Sequence, residues 1–183
     1  MRGVKPRDTR QENGINRIGS REGPKISLEL TRWQRLRTRA FLFSVGVKRH
    51  MTLGVRAALI DGDRVFLIRQ TYMPGWQFCG GGVEPGESAE LSASREMVEE
   101  TGYRPTGPMP LFGLYHNTNS LTNRDHVALF LCRDFEIAHA FRPNREIAEA
   151  GWFGIDALPD GTGPATIRRI GEIFREEKVA TNW

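Results

Sequence analysis

The chain has 183 residues, 39% hydrophobic and 26% charged, with two cysteines, a balance that builds one soluble globular domain with length to spare. No run reaches the roughly 18–20 apolar residues of a membrane span, no secretory leader opens the chain, and Cys79 and Cys132 are too few for a zinc pattern or a disulfide framework; a cytoplasmic protein with reduced thiols is expected. The net charge of +4 is unevenly placed, since residues 1–50 hold 13 Lys and Arg against 4 Asp and Glu while the remainder holds 13 against 18, so the high pI is no argument that the body of the protein binds nucleic acid.

Residues 1–25 are polar, rich in Arg and Gly and without hydrophobic period, the composition of a disordered basic leader. Over 26–50, Leu30, Trp33, Leu36, Ala40 and Phe43 or Ser44 recur every three or four residues with arginines between them, which predicts an amphipathic Arg-rich helix. Four readings of it stay open: a helix packed on the domain, a contact with nucleic acid or a membrane surface, an organelle-targeting leader, or a stretch ahead of a natural start at Met51.

The domain proper is expected over 51–183. "TLGVRAALI" and "RVFLIR" are β-branched and apolar, and Asp61-Gly62-Asp63 between them supplies turn chemistry, which predicts a hairpin. Pro74 and Gly75 then break the chain before a short apolar patch at Trp76 to Phe78. After a glycine-rich loop, a helix is predicted from Ser88, as N-cap, to Thr101, with Gly102 as its stop. Further strands are predicted at Leu111 to His116, His126 to Arg133 and Trp152 to Phe153, and a closing amphipathic helix from about Ala165 with Ile167, Ile170 and Phe174 on one stripe. Strands interleaved with helices point to an α/β domain.

On the first helix Glu96, Glu99 and Glu100 stand at i, i+3 and i+4 and so share a face. Two unit charges 4 Å apart at an effective dielectric near 20 repel by roughly 4 kcal/mol, so a buried set of this kind calls for protonation or a cation. Hard oxygen donors suit Mg²⁺ or Mn²⁺, and Mg²⁺ shares its coordination with phosphate oxygens and water. A solvated acidic face is the plainer reading of "EMVEE" alone. The surroundings weigh against it: Gly81, Glu87, Arg95, Glu96, Glu99, Glu100 and Gly102 match the pattern Gx5Ex7REUxEExGU, with Met97 and Tyr103 in its bulky apolar positions, and seven such identities arise by chance about once in a million.

From Gly81 to Tyr103 the sequence resembles the signature box of the Nudix hydrolase family, and "GWQFCGGGVEPGES" and "EIAEAGWFGIDALP" are similar to its flanks. The resemblance covers Met51 to the C-terminal helix and leaves the leader aside. It implies an α/β/α sandwich with a mixed β-sheet, and hydrolysis of a pyrophosphate bond in a nucleoside diphosphate linked to another moiety. A nucleotide or nucleoside-diphosphate derivative is the partner so implied, and Mg²⁺, or Mn²⁺, the cofactor. Two positions depart from the family's habit: Cys79 stands where proline is usual, and Tyr103 is polar-tipped.

Glu96, Glu99 and Glu100 are the expected metal ligands, and the backbone carbonyl of Gly80 is similar to a further one in the family. Arg95 is expected to pair with Glu87 and fix the loop against the helix. Glu99 or Glu96 is the first choice of general base and Glu146 the second. Trp76, Gly81 and Glu146 are candidate substrate contacts, with core packing the plainer role for Trp76. His116 and His126 either touch a phosphate or are structural, and Cys79 is a redox sensor or an inert thiol. Two other functions remain beside hydrolysis of a small nucleotide: a catalytically silent ligand-binding or regulatory module of the same fold, and an RNA 5′-end pyrophosphohydrolase that uses the basic leader to hold the backbone.

Overall fold

β1 (Thr52–Asp61) is the central strand of the protein, and its sequence shows why: a near-continuous apolar run that buries both faces is the signature of a strand with a parallel neighbour. It runs parallel to β6 (Asp125–Cys132) over the eight pairs from Thr52↔Asp125 to Leu59↔Cys132. In a computed structural model, which describes residues 32–33, 36–37, 51–118 and 123–183, the chain divides into two compact units, Met1–Val45 and Gly46–Trp183. Arg32, Trp33, Leu36 and Arg37 have helical backbone; the remainder of the helix expected over 26–50, and all of the leader expected to be disordered, lie outside the described residues.

The second unit holds one mixed sheet in the order β3-β2-β1-β6-β5, with β8 paired to the other edge of β2. Here β2 is Arg64–Gln70, β3 Trp76–Gln77, β5 Leu111–Asn117 and β8 Ile147–Gly154. Alternation along β1 sends Val55, Ala57 and Leu59 to one core and Ala58 and Ile60 to the other, as a period of two requires. The first core is closed by Ala93 and Met97 of helix α1 (Ala89–Thr101), the second by Ile170 of helix α2 (Pro164–Phe174). The result is the expected α/β/α sandwich. Among the described residues no helix is long and apolar enough to cross a membrane.

Several local expectations need correction. β8 begins at Ile147, well ahead of the Trp152–Phe153 core of the prediction, because Ala148, Glu149, Ala150 and Gly151 are poor strand formers that pair with β2 only in tertiary context. Arg133 lies beyond the end of β6. The short strands β4 (Tyr103–Pro105) and β7 (Phe135–Ile137) form a separate two-stranded sheet, too brief for any period to register. On α2, Ile167 is exposed, while Thr166, Arg169 and Ile170 are buried; a buried arginine on the inner stripe hides that stripe from a purely apolar reading.

Arg169 is fully buried. Its guanidinium bonds Glu172 Oε1 at 2.7 Å and the Asn182 carbonyl at 3.0 Å, and lies 4.0 Å from the centroid of Tyr115. Glu172 in turn accepts from Tyr115 Oη at 3.0 Å and Ala180 N–H at 2.9 Å. The charge pair thus holds the segment around 180–182 against β5, where His116 N–H donates to the Thr181 carbonyl. Removing one partner of a buried pair strands the other without compensation. Arg169→Met, which keeps much of the volume, is therefore expected to lower the unfolding free energy in urea by about 3–5 kcal/mol; a loss below about 1 kcal/mol would show the pair to be dispensable.

Candidate active site

β1 and β2 pair only at Ile60↔Val65 and Asp61↔Arg64, beside their turn, and then diverge. The glycine loop enters the opening and runs along the freed edge of β1: Ala57 N–H donates to the Cys79 carbonyl at 2.9 Å, Val55 N–H to the Gly81 carbonyl at 2.8 Å, and Val83 N–H to the Leu53 carbonyl at 3.0 Å. Gly80 has φ of 143°, and a Cβ there would lie 2.0 Å from the Val55 carbonyl oxygen, so no other residue fits. At Gly81 an added Cβ would meet the Glu96 carboxylate at 2.4 Å. The glycines therefore let the main chain press against both strand and helix.

α1 brings the acids to this loop. Ser88 Oγ accepts the Leu91 N–H at 3.2 Å to start the helix, and Gly102, in the left-handed region at φ 80°, ends it. The inner stripe that carries Ala93 and Met97 also carries Glu100, so burial falls unequally on the three acids. Glu100 is only 6% exposed, whereas the side chains of Glu96 and Glu99 are 16% and 59% exposed. Glu100 Oε2 accepts the Gly80 N–H at 2.7 Å, and its other oxygen is 3.4 Å from Gln70 Nε2. Burial, with a smaller push from Glu96, raises its pKa to about 7, while the Gly80 N–H, Arg56 and Gln70 pull the other way.

Arg95 answers much of the repulsion expected on this face. Its guanidinium grips Glu87 with two 3.2 Å bonds and reaches Glu96 at 2.9 Å and Glu99 at 3.4 Å. The expectation of a single Arg95–Glu87 pair therefore widens to a cluster, and a resident protein cation does part of what the sequence argument assigned to a metal. Glu87 is held below the usual carboxylate range, by Arg95 first and by Ser92, whose Oγ donates to it at 2.6 Å.

Glu96, Glu99 and Glu100 form one wall of a cavity of about 310 Å³, and residues 144–147 form the other. Among the described residues no three acidic, histidine or cysteine side chains converge on one metal position. The donor set nonetheless fits a hard divalent ion: every acid in the cavity offers oxygen, and a buried carboxylate with a raised pKa is stabilised by added positive charge.

The structure brings Glu146 to this cavity with the three helical acids. It does not bring Trp76, which packs edge-on against Phe153 at a centroid distance of 4.9 Å; its indole serves the core. His116 and His126 face each other across β5 and β6 with ring centroids 5.3 Å apart and do not line the cavity. Cys79 is buried, donates to the Ala57 carbonyl at 3.4 Å, and has its thiol pushed well up by burial and then by Glu100, surroundings that disfavour the reactive thiolate.

Sequence reasoning passed over Arg56, Gln70, Tyr72, Asn144 and Arg145. Arg56 donates to the carbonyls of Phe78 and Gly80 at 3.2 and 2.9 Å and so braces the glycine loop from β1. Its signal was present as the one charge inside "GVRAALI". Arg145 carried none, because its position depends on how the loop before β8 folds over the helix.

The sequence profile described as NUDIX domain matches residues 50–172. An uncharacterized Nudix hydrolase, orf19, of Rhodococcus erythropolis is 33% identical over 129 residues, covering 63% of this chain and 68% of its own. A putative 8-oxo-dGTP diphosphatase of Bacillus subtilis is 47% identical over 45 residues, and an RNA pyrophosphohydrolase of Dinoroseobacter shibae 45% over 51; these alignments cover 25% and 26% of this chain and only 30% and 32% of those relatives. Among solved structures, a MutT NUDIX hydrolase from Burkholderia pseudomallei superposes with a TM-score of 0.57 at 22% identity over 67% of this chain and 97% of that one. A UDP-X diphosphatase does so at 0.54 and 22% over 81% and 73%. The chain belongs to the Nudix hydrolase family.

Because the folded pKa of Glu100, about 7, lies above its ordinary value of 4.5, its protonated form favours the fold, and this contribution is present in full below pH 4.5 and lost as pH rises through about 7. Metal-free protein should accordingly melt lower at pH 8 than at pH 5.5, and Glu100→Gln should flatten that slope in a calorimetric series. An unchanged slope in the variant would remove Glu100 from the account.

Proposed function

We propose that the chain is a pyrophosphohydrolase of nucleoside diphosphate derivatives, in which water attacks phosphorus and Glu96, Glu99, Glu100 and the Gly80 carbonyl hold Mg²⁺ or Mn²⁺. The observation that carries this reading is that three carboxylates from one helix and Glu146 from the loop before β8 line a single cavity, with Glu100 bonded to the glycine loop through the Gly80 N–H. Divalent ions, when bound there, supply neutralisation of the diphosphate charge and a more acidic water.

The chain's own residues account for the rest. Arg95 restrains Glu87, Glu96 and Glu99 together, and the Gly80 N–H and Gln70 restrain Glu100, so the acidic wall is held in place without relying on its own repulsive charges. Glu99, the most exposed of the three, or Glu96 beside it, is the first candidate to take the proton of the attacking water. Glu146 is the alternative, on a loop fixed by its N–H bond to Asn144 Oδ1 at 2.8 Å. The Arg95–Glu87 pair orients the loop and helix and touches no reacting atom.

Turnover of nucleoside triphosphates, nucleotide sugars, dinucleotides and 5′-triphosphorylated or capped RNA, followed by release of phosphate, pyrophosphate or nucleotide in Mg²⁺ and in Mn²⁺, tests the proposal. Glu100→Gln is expected to reduce the best activity by at least about 100-fold. Hydrolysis at the normal rate in that variant refutes the assignment, and tight binding without turnover across the panel favours a silent binding module. An RNA substrate is favoured only if activity depends steeply on salt and that dependence vanishes when residues 1–50 are deleted.

A further inference from the structure

The wall facing the carboxylates is a loop with little backbone freedom. Asn144 Oδ1 accepts the N–H groups of Glu146 and Ile147, each at 2.8 Å, and the Asn144 N–H donates to the Ile147 carbonyl at 2.9 Å. Thr71, at the exit of β2, fastens a second segment to it: its N–H donates to the Glu146 carbonyl at 2.8 Å and its Oγ1 to the Arg145 carbonyl at 2.7 Å. The residue that follows is therefore carried beside the cavity on a tied loop. That residue is Tyr72, 66% exposed.

Arg145 lines the cavity and is exposed, and among the described residues its guanidinium has no ion pair or hydrogen bond. The acids opposite already have partners, Glu96 and Glu99 in Arg95 and Glu100 in the Gly80 N–H. Arg145 is thus a free cation on a fixed backbone at the mouth of an acidic cavity. Tyr72 follows Thr71 directly, so the bonds from Thr71 to the Arg145 and Glu146 carbonyls fix where its side chain starts; burial first, then the charges of Glu100 and Glu146, push its phenol up, and Arg56 opposes them. Few structural demands explain an exposed aromatic ring held there, whereas a ligand with its own flat ring does.

We infer that Arg145 and Tyr72 form the recognition edge of the site, the guanidinium taking phosphate oxygens of the substrate and the phenol ring stacking on its nucleobase. This rests on reading the cavity as a diphosphate hydrolase site, and it deepens that reading by naming the residues that would contact the phosphates and the base. Neither residue belongs to the box that marks the family, and both owe their place to Thr71.

Calorimetric binding in Mg²⁺ tests this, with inorganic pyrophosphate and the α,β-methylene analogues of ADP, GDP, CDP and UDP, whose only P–P linkage resists cleavage. The wild type should bind at least one analogue about 10-fold more tightly than pyrophosphate. Arg145→Ala should weaken both kinds of ligand by about 10-fold or more, with partial recovery in Arg145→Lys. Tyr72→Ala should weaken the analogue alone by about 10-fold, and Tyr72→Phe should bind it normally. Mn²⁺ affinity, read by electron paramagnetic resonance, should be unchanged in all four variants. Equal affinity for pyrophosphate and every analogue, or a Tyr72→Ala variant that binds like wild type, overturns the stacking role; unaltered binding by Arg145→Ala overturns the phosphate role. If these losses of affinity occur in a protein that turns over nothing in the panel, the hydrolase reading fails and the recognition edge stands. Unaltered binding alongside normal turnover gives the reverse.

Discussion

The hydrogen bond from the Gly80 N–H to the buried Glu100 carboxylate joins the two parts on which the site depends, the loop pressed against β1 and the helix packed over the sheet. Each end of this bond has a steric reason for its place. Gly80 can lie there because a hydrogen, not a Cβ, faces the Val55 carbonyl, and Glu100 is buried because it shares the inner stripe of α1 with Ala93 and Met97. Burying a carboxylate is costly unless its oxygens are satisfied. The backbone N–H and Gln70 satisfy them, and Arg56 braces the same loop through the Gly80 carbonyl.

Charge is distributed around this bond in graded fashion. In order of exposure, Glu100 is buried, Glu96 is largely shielded beside Gly81, and Glu99 is largely in solvent. Arg95 spans the last two and Glu87, so the acidic surface is stiffened by a cation that belongs to the fold. Such an arrangement gives chemically identical groups different surroundings. The far wall is rigid for a different reason: an Asn144 side chain replaces backbone partners in the loop, and Thr71 fastens it to β2.

The hairpin, the caps of α1 and the acidic face were legible because each is a local matter. Turn residues, N-cap chemistry and a spacing of three and four residues act within one element. The strands β4 and β7 and the first half of β8 were not legible, since three-residue strands have no period and Ala148 to Gly151 have no intrinsic preference for a sheet. Ile167 left the inner stripe of α2 expected of it while Arg169 is buried, because a buried arginine is stable only where Glu172, Tyr115 and the Asn182 carbonyl come together, and Tyr115 and Asn182 lie outside the helix.

By itself the sequence determined the acids of the cavity's helical wall and the family to which the chain belongs, because both follow from residue identity and spacing along one short stretch, the glycine loop and the helix after it. Tertiary structure alone decided how burial differs among Glu96, Glu99 and Glu100, that Arg95 reaches three acids, and that Arg145 lines the cavity while Thr71, next to Tyr72, is tied to its loop. Those features depend on the divergence of β1 from β2 and on the loop before β8 folding over α1, which are contacts between residues far apart in the chain, and no local pattern encodes a distance that only packing sets.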